Sequence, residues 1–276
     1  MMIMKALDLL PSLVEAERKA GEAILGVYGG AVRAEFKTDA SMATVADLLS
    51  HKVLSSHLAR TSSYPVLSEG GKNIPYDARR HWETFWLVDP LDGTREFISR
   101  NGEFTVNAAL IHRGQPVMGA IYAPVRDVLY TAVKGGGAYR TAHGETVRLP
   151  VDQQRKSCVV VGNRSDDASR EFDEYVLGLR TRHEELAFLS AGSSLKFCLV
   201  AEGAADVYPR LGPTSLWDTA AAQCVVEQAG GRVIELTGAA LNYGNPASVL
   251  NPFFIVHGIS PVEWPALLRE SGAGSG

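Results

Sequence analysis

Apolar residues recur at helical spacing from the start of the chain. Leu9, Leu13, Ala16, Ala20, Ala23, Ile24 and Val27 share one face, which predicts an amphipathic helix ending near Gly29 and Gly30. A second helix is predicted over residues 44–60. The pattern then changes to short apolar strands at 65–67 and 85–88. Three further strand-like segments, 104–111, 117–123 and 128–133, are separated by turn signals at Arg113-Gly114 and Pro124, and predict an antiparallel meander. The run Gly135-Gly136-Gly137 has no GxGxxG pattern and reads as a hairpin turn. Past Pro150, strand and helix patterns alternate, at 158–162, 167–179, 195–202, 206–208, 216–229, 232–235 and 253–256. This change predicts an α/β protein, an α+β layered sandwich of two lobes, residues 1–150 and 151–270, with a disordered Gly/Ser tail at 271–276.

The segment WLVDPLDGT, Trp86 to Thr94, runs a buried strand into two carboxylates, Asp89 and Asp92, and a hydroxyl, Thr94. Pro90 stiffens the turn between the acids, and Gly93 lets the backbone approach whatever they hold. With the Leu91 carbonyl they form an all-oxygen anionic set, suited to Mg²⁺ or Mn²⁺ rather than zinc or copper. Taken alone, such a segment reads equally well as a polar turn. It has companions, however. Glu69 leaves the short strand YPVLSE, and Asp218 in LWDTA opens an Ala-rich helix, where an acid is favoured as a cap and a phosphate can also bind. Thr44 and Asp47 lie one turn apart on a helix face and by themselves read as an ordinary helix start.

Glu69, the DPLDGT segment from Asp89 and WDTAA from Trp217 together resemble the lithium-sensitive, magnesium-dependent phosphatases that include inositol monophosphatases and fructose-1,6-bisphosphatases. The stretches from Trp86 to Ile111 and from Gly192 to Ala221 are similar to those of the CysQ-type 3′(2′),5′-bisphosphate nucleotidases, and the similarity runs from about Val27 to Phe254. The resemblance implies an αβαβα fold and hydrolysis of adenosine 3′,5′-bisphosphate to AMP and phosphate, in sulfur assimilation and nucleotide recycling. It implies that Glu69, Asp89, the Leu91 carbonyl, Asp92 and Asp218 ligate two or three Mg²⁺ ions, with Mn²⁺ a substitute and Li⁺ an inhibitor. Asp47 and Thr94 would activate the attacking water. Glu69, Leu91, Asp92, Gly93, Thr94 and Asp218 would surround the substrate phosphate, and Ser194, Lys196 and Arg210 would hold the nucleotide. Two positions depart from the family: Gly70 stands where a second acid usually follows the Glu, and Asp166 where a His is frequent. The alternatives are an inositol or sugar phosphate phosphatase, or a protein that senses a bisphosphate nucleotide without turning it over.

Composition narrows the remaining classes. The 276-residue chain is 46% hydrophobic, enough for a substantial core. Its net charge of −4 comes with no basic stripe, so a nucleic-acid polymer is excluded as a partner and a small-molecule nucleotide bisphosphate is expected. Cys158, Cys198 and Cys224 lack CxxC spacing and read as reduced core residues of a cytoplasmic protein. The N-terminus lacks a cleavage site, and no apolar run reaches the ~20 residues of a membrane span. Peripheral association with the cytoplasmic face of a membrane stays open, as does the choice between monomer and homodimer. The three-residue spacing of Asp89 and Asp92 argues against a DxDGT phosphatase, and there is no G-x-S-x-G, GxxxxGK[ST] or HExxH motif.

Overall fold

The computed structural model describes residues 2–29, 39–71, 74–151, 157–162, 170–244 and 246–259. Asp166, the first residues of the helix expected from 167, and the tail 271–276 lie outside them. Two helices open the chain, α1 (Met2–Tyr28) and α2 (Asp39–Thr61). The predicted apolar face of α1 is the buried one: Leu13, Ala16, Ala20, Ile24 and Val27 are all interior. Helix α2 begins well before the expected residue 44.

The first sheet has seven strands in sequential order: β1 (Val66–Ser68), β2 (Thr84–Asp92), β3 (Thr105–His112), β4 (Gln115–Ala123), β5 (Val128–Val133), β6 (Gly137–Ala142) and β7 (Glu145–Arg148). Only the β1–β2 pair is parallel. A short helix, α3 (Tyr76–Arg79), precedes β2, and α4 (Thr94–Ser99) follows it. The expected meander is present, and the glycine run at 135–137 does turn β5 into β6. Between Arg148 and Cys158 the chain passes to a second sheet, β8 (Cys158–Gly162), β9 (Leu186–Ser190), β10 (Val207–Arg210), β11 (Arg232–Glu235) and β12 (Phe254–His257), in the order β11-β12-β10-β8-β9. Helices α5 (Arg170–Arg180), α6 (Leu195–Glu202) and α7 (Leu216–Gln228) alternate with these strands.

Strand alternation explains the layering. On β2, Trp86 and Val88 face α1 and α2, whereas Phe85 and Leu87 face the opposite way, into a core shared with α6, α7 and the second sheet. The far face of the second sheet packs Cys158, Val160 and Val207 against Tyr175 and Leu179 of α5. The five layers are therefore α1/α2, first sheet, α6/α7, second sheet, α5, the αβαβα arrangement expected. Close packing fixes α7 in the middle layer. A Cβ at Gly119 of β4 would lie 2.6 Å from the Ala221 carbonyl oxygen, so only glycine lets the helix sit this near the sheet. All three cysteines are buried and unbridged. Among the described residues no helix is long and apolar enough to cross a membrane.

Candidate active site

The DPLD segment does not form a loop after β2, as the sequence suggests; the strand continues through it to Asp92. Asp89 pairs with Asn107 and Asp92 with Thr105, so three steps on β2 match two on β3. This is a bulge, and it resolves two problems at once. Residues three apart on a regular strand point to opposite faces, but one extra residue returns Asp89 and Asp92 to the same side. The bulge also accommodates Pro90, which cannot donate to a ladder, and the Pro90 carbonyl accepts a hydrogen bond from Ser50 Oγ at 2.7 Å. Asp89 Oδ1 accepts from the Leu91 N–H at 3.1 Å, which turns the segment back on itself. Gly93 then takes a left-handed φ of 92° and releases the chain into α4, whose first residue is the exposed Thr94.

Glu69 follows the end of β1, which lies parallel to β2, and its N–H donates to the Val88 carbonyl at 3.2 Å. Asp218 enters from the other side, in the first turn of α7. One of its oxygens does accept the Ser215 N–H at 2.9 Å, so the capping role is real, but it does not occupy the whole carboxylate. Glu69, Asp89 and Asp218 thereby offer ligand oxygens all within 4.8 Å of one another. Asp92 borders this triad and raises the proton affinity of each member.

The electrostatics are those of a cluster awaiting positive charge. Burial, followed by the negative charge of Asp92, pushes Asp218 up to about 7. Burial and then Asp92, Glu69 and Asp218 push Asp89 well above the carboxylate range. Burial and then Asp47 and Asp92 raise Glu69. The leading charges on all three are other acids. A hard divalent cation fits this all-oxygen donor set, because it replaces that repulsion with attraction. A pH dependence follows. A carboxyl raised in the folded state keeps its proton where the unfolded chain, near 3.8, releases it; its contribution to stability is complete below 3.8 and is lost as pH rises through about 7. Thermal unfolding of metal-free protein is expected to occur at lower temperature at about pH 8 than at about pH 5, and Mg²⁺ is expected to narrow that gap. A metal-free melting temperature that rises over this interval would contradict the cluster's role.

Asp92, Gly93, Thr94, Ser194, Lys196 and Arg210 line one cavity of about 770 Å³, together with Asp218. This gathers residues from both sheets, as the resemblance implies, and the volume suits a nucleotide-sized ligand. No hydrogen bond joins Asp47 to Thr94 among the described residues; half-buried Asp47, raised by burial, acts instead on Glu69 by charge. The buried Lys196 side chain holds its ammonium 5.4 Å from the Tyr208 ring. Arg210 donates to the Pro213 carbonyl at 3.1 Å. The Ser194 hydroxyl meets Asp92 at 2.7 Å. Arg95 and Ser193 also line the cavity. Neither is among the site residues that the resemblance implies; each stands directly beside one that is, Thr94 and Ser194, and that adjacency is the sequence signal for them.

The chain matches the family model described as "Inositol monophosphatase family" over residues 7–259. It is 45% identical over 252 residues to the 3′(2′),5′-bisphosphate nucleotidase CysQ of Escherichia coli strain K12, covering 90% of this chain and 99% of that protein. The identically named protein of Buchnera aphidicola is 36% identical over 85% of this chain and 87% of its own length. Among solved structures, CysQ from Bacteroides thetaiotaomicron superposes with a TM-score of 0.82 at 41% identity, covering 90% of this chain and 96% of that one. An inositol monophosphatase from Anabaena, at 23% identity and a TM-score of 0.71, shares the fold.

Proposed function

The chain belongs to the inositol monophosphatase family, a family of metal-dependent phosphatases, and on that premise we propose that it is a 3′(2′),5′-bisphosphate nucleotidase converting adenosine 3′,5′-bisphosphate and water to AMP and phosphate. The observation that carries this reading is the shared cavity, where the acids Asp92 and Asp218 and the cations Lys196 and Arg210 line one volume. Glu69, Asp89, the Leu91 carbonyl, Asp92 and Asp218 would hold the magnesium ions. When bound, these supply Lewis-acid charge stabilisation and lower the pKa of water at the reacting phosphorus. The residues of the chain do the rest. Asp47, with its proton affinity raised by burial, would accept a proton from the attacking water, and Thr94 would orient it. As the water oxygen bonds to phosphorus, the bond from phosphorus to the 3′ oxygen breaks and that oxygen takes up a proton. Gly93 and the start of α4 would offer backbone N–H groups to the phosphate, while Lys196 and Arg210, in the same cavity lining, would meet the second phosphate.

Phosphate release from adenosine 3′,5′-bisphosphate, inositol 1-phosphate and fructose 1,6-bisphosphate, each with and without Mg²⁺, tests the proposal. The expected result is Mg²⁺-dependent turnover with the bisphosphate nucleotide preferred in kcat/KM. Faster turnover of inositol 1-phosphate would reverse the assignment. Binding of the nucleotide without turnover would favour a sensor, a reading opposed by the retention of Glu69, Asp89, Asp92, Thr94 and Asp218. The buried, unbridged cysteines support a cytoplasmic setting.

Lithium is expected to inhibit by competing at the acid cluster, and Gly70 bears on how strongly. A Cβ at this position would lie 2.9 Å from Asp47 Oδ2 and 3.2 Å from His51 Cβ, so an acid side chain there would start against Asp47. Gly70→Glu is expected to displace the Asp47 carboxylate, add negative charge and lower the concentration of Li⁺ that halves activity. Unchanged Mg²⁺ and Li⁺ titrations would show Gly70 to be neutral.

A further inference from the structure

A turn of the second lobe reaches across to the first and closes on a single carboxylate oxygen. Residues 192–194 lie between β9 and α6, and Ser193 takes a left-handed φ of 45° there, a conformation that a non-glycine residue adopts only when its surroundings hold it. The holding groups are visible. The Gly192 N–H donates to Glu103 Oε2 at 2.9 Å, and Ser193 Oγ donates to the Glu103 carbonyl at 2.7 Å. Glu103 is itself buried and is paired with Arg126 at 2.7 Å. The next residue carries the contact of interest: Ser194 N–H and Ser194 Oγ both lie 2.7 Å from Asp92 Oδ2.

Ser194 keeps only 1% of its surface exposed, and its neighbours fix the direction of its one proton. Asn107 Nδ2 donates to Ser194 Oγ at 2.9 Å, so that oxygen accepts from Asn107 and must itself donate elsewhere. Its candidates are Asp92 Oδ2 at 2.7 Å and the Asp218 carbonyl at 3.2 Å, and the shorter, charge-assisted contact prevails. Longer contacts from Thr105 Oγ1 at 3.4 Å and Asn107 Nδ2 at 3.3 Å fall on the same atom. Every one of these donors meets Oδ2, and none of them meets Oδ1.

We infer that Ser194 is a positioning residue: it locks the rotation of the Asp92 carboxylate so that Oδ1 is presented to the metal, and thereby makes metal affinity depend on the seating of the second lobe against the first. The inference rests on the proposed reading of Asp92 as a metal ligand. It assigns Ser194 a different task from holding the nucleotide, since the hydroxyl that would do so is already committed. Alanine in its place retains the backbone N–H contact but frees the carboxylate to turn and takes from Asn107 its short acceptor.

The test is Mn²⁺ binding to substrate-free protein, read by electron paramagnetic resonance, for the wild type, Ser194→Ala and Asp92→Asn, with AMP affinity measured at saturating Mn²⁺. Ser194→Ala is expected to weaken Mn²⁺ binding about 10- to 100-fold, the range for losing a group that orients a ligand, while AMP affinity is retained. Activity is then expected to return at high Mg²⁺. Weakened AMP binding with unchanged Mn²⁺ affinity would make Ser194 a nucleotide contact and overturn the inference. A lowered melting temperature with both affinities unchanged would make it a structural support and overturn it equally. Asp92→Asn separates the two layers of the argument. Should it weaken Mn²⁺ binding where Ser194→Ala does not, the positioning role alone fails; if it too leaves Mn²⁺ binding unchanged, the reading of Asp92 as a ligand fails with it.

Discussion

Asp89→Asn is expected to abolish Mg²⁺-dependent phosphate release while the protein remains folded. Asp89 is 1% exposed and shares the triad with Glu69 and Asp218, so its ionised form is tolerated only when positive charge offsets the surrounding acids. Asparagine keeps the shape and keeps an oxygen for the Leu91 N–H, but brings no charge. Metal-based charge stabilisation is worth several kcal/mol, and each 1.36 kcal/mol is tenfold, so a loss of roughly three decades in kcat/KM follows. The same substitution relieves repulsion in the absence of metal. The metal-free variant is therefore expected to melt at or above the wild-type temperature, and to gain less from added Mg²⁺. Initial rates across a Mg²⁺ titration, paired with thermal unfolding, read both effects. A folded variant with wild-type turnover would remove the acid cluster from the chemistry.

The architecture was legible because its signals are local and repeat. The apolar stripe of α1 needs only a period of 3.6, and the turn residues between β3 and β5 mark a meander directly. Elements without such a signal escaped. Helix α4 has six residues, too few for a period to show. Strand β9 lies at a sheet edge and is partly exposed along its whole length, so it lacks a buried face to print an alternation. Strand β7 forms the edge of the first sheet and β6 lies beside it; both are mixed in polarity, with only Gly137 and Ala138 buried.

The candidate residues stand out one by one in the sequence, but their geometry does not. The acids announce themselves by their neighbours in sequence, yet the bulge that brings Asp89 and Asp92 to one side depends on pairing with β3. Ser194 and Asp92 are 102 positions apart, and nothing local in either segment states that one orients the other. Asp218 illustrates a third case. Its reading as a helix cap is met and still leaves room for the proposed reading as a ligand, because a carboxylate has two oxygens and the Ser215 N–H takes one.

Lys196→Ala and Arg210→Ala are expected to separate a nucleotidase from an inositol phosphatase. The Lys196 ammonium is held near Tyr208 at the start of α6, and Arg210 closes β10 with its guanidinium braced by the Pro213 carbonyl, so both cations are set into the cavity wall before substrate arrives. Preset charge of this kind binds without the entropic cost of ordering a flexible side chain. A bisphosphate substrate brings a second phosphate that needs countercharge away from the acid cluster. Losing one charge-assisted contact to it costs about 1.5–3 kcal/mol, or roughly 10- to 100-fold in kcat/KM. Inositol 1-phosphate has no such group, so its residual hydrolysis is expected to change little in either variant, whereas Asp89→Asn is expected to reduce turnover of both substrates together. The ratio of the two kcat/KM values is the decisive quantity, because a general loss of structure cancels in it. Equal losses on both substrates would make Lys196 and Arg210 supports of the cavity wall, and the preference for a bisphosphate would then have to arise from other cavity residues, of which Arg95, exposed beside Thr94, is the next cation to replace.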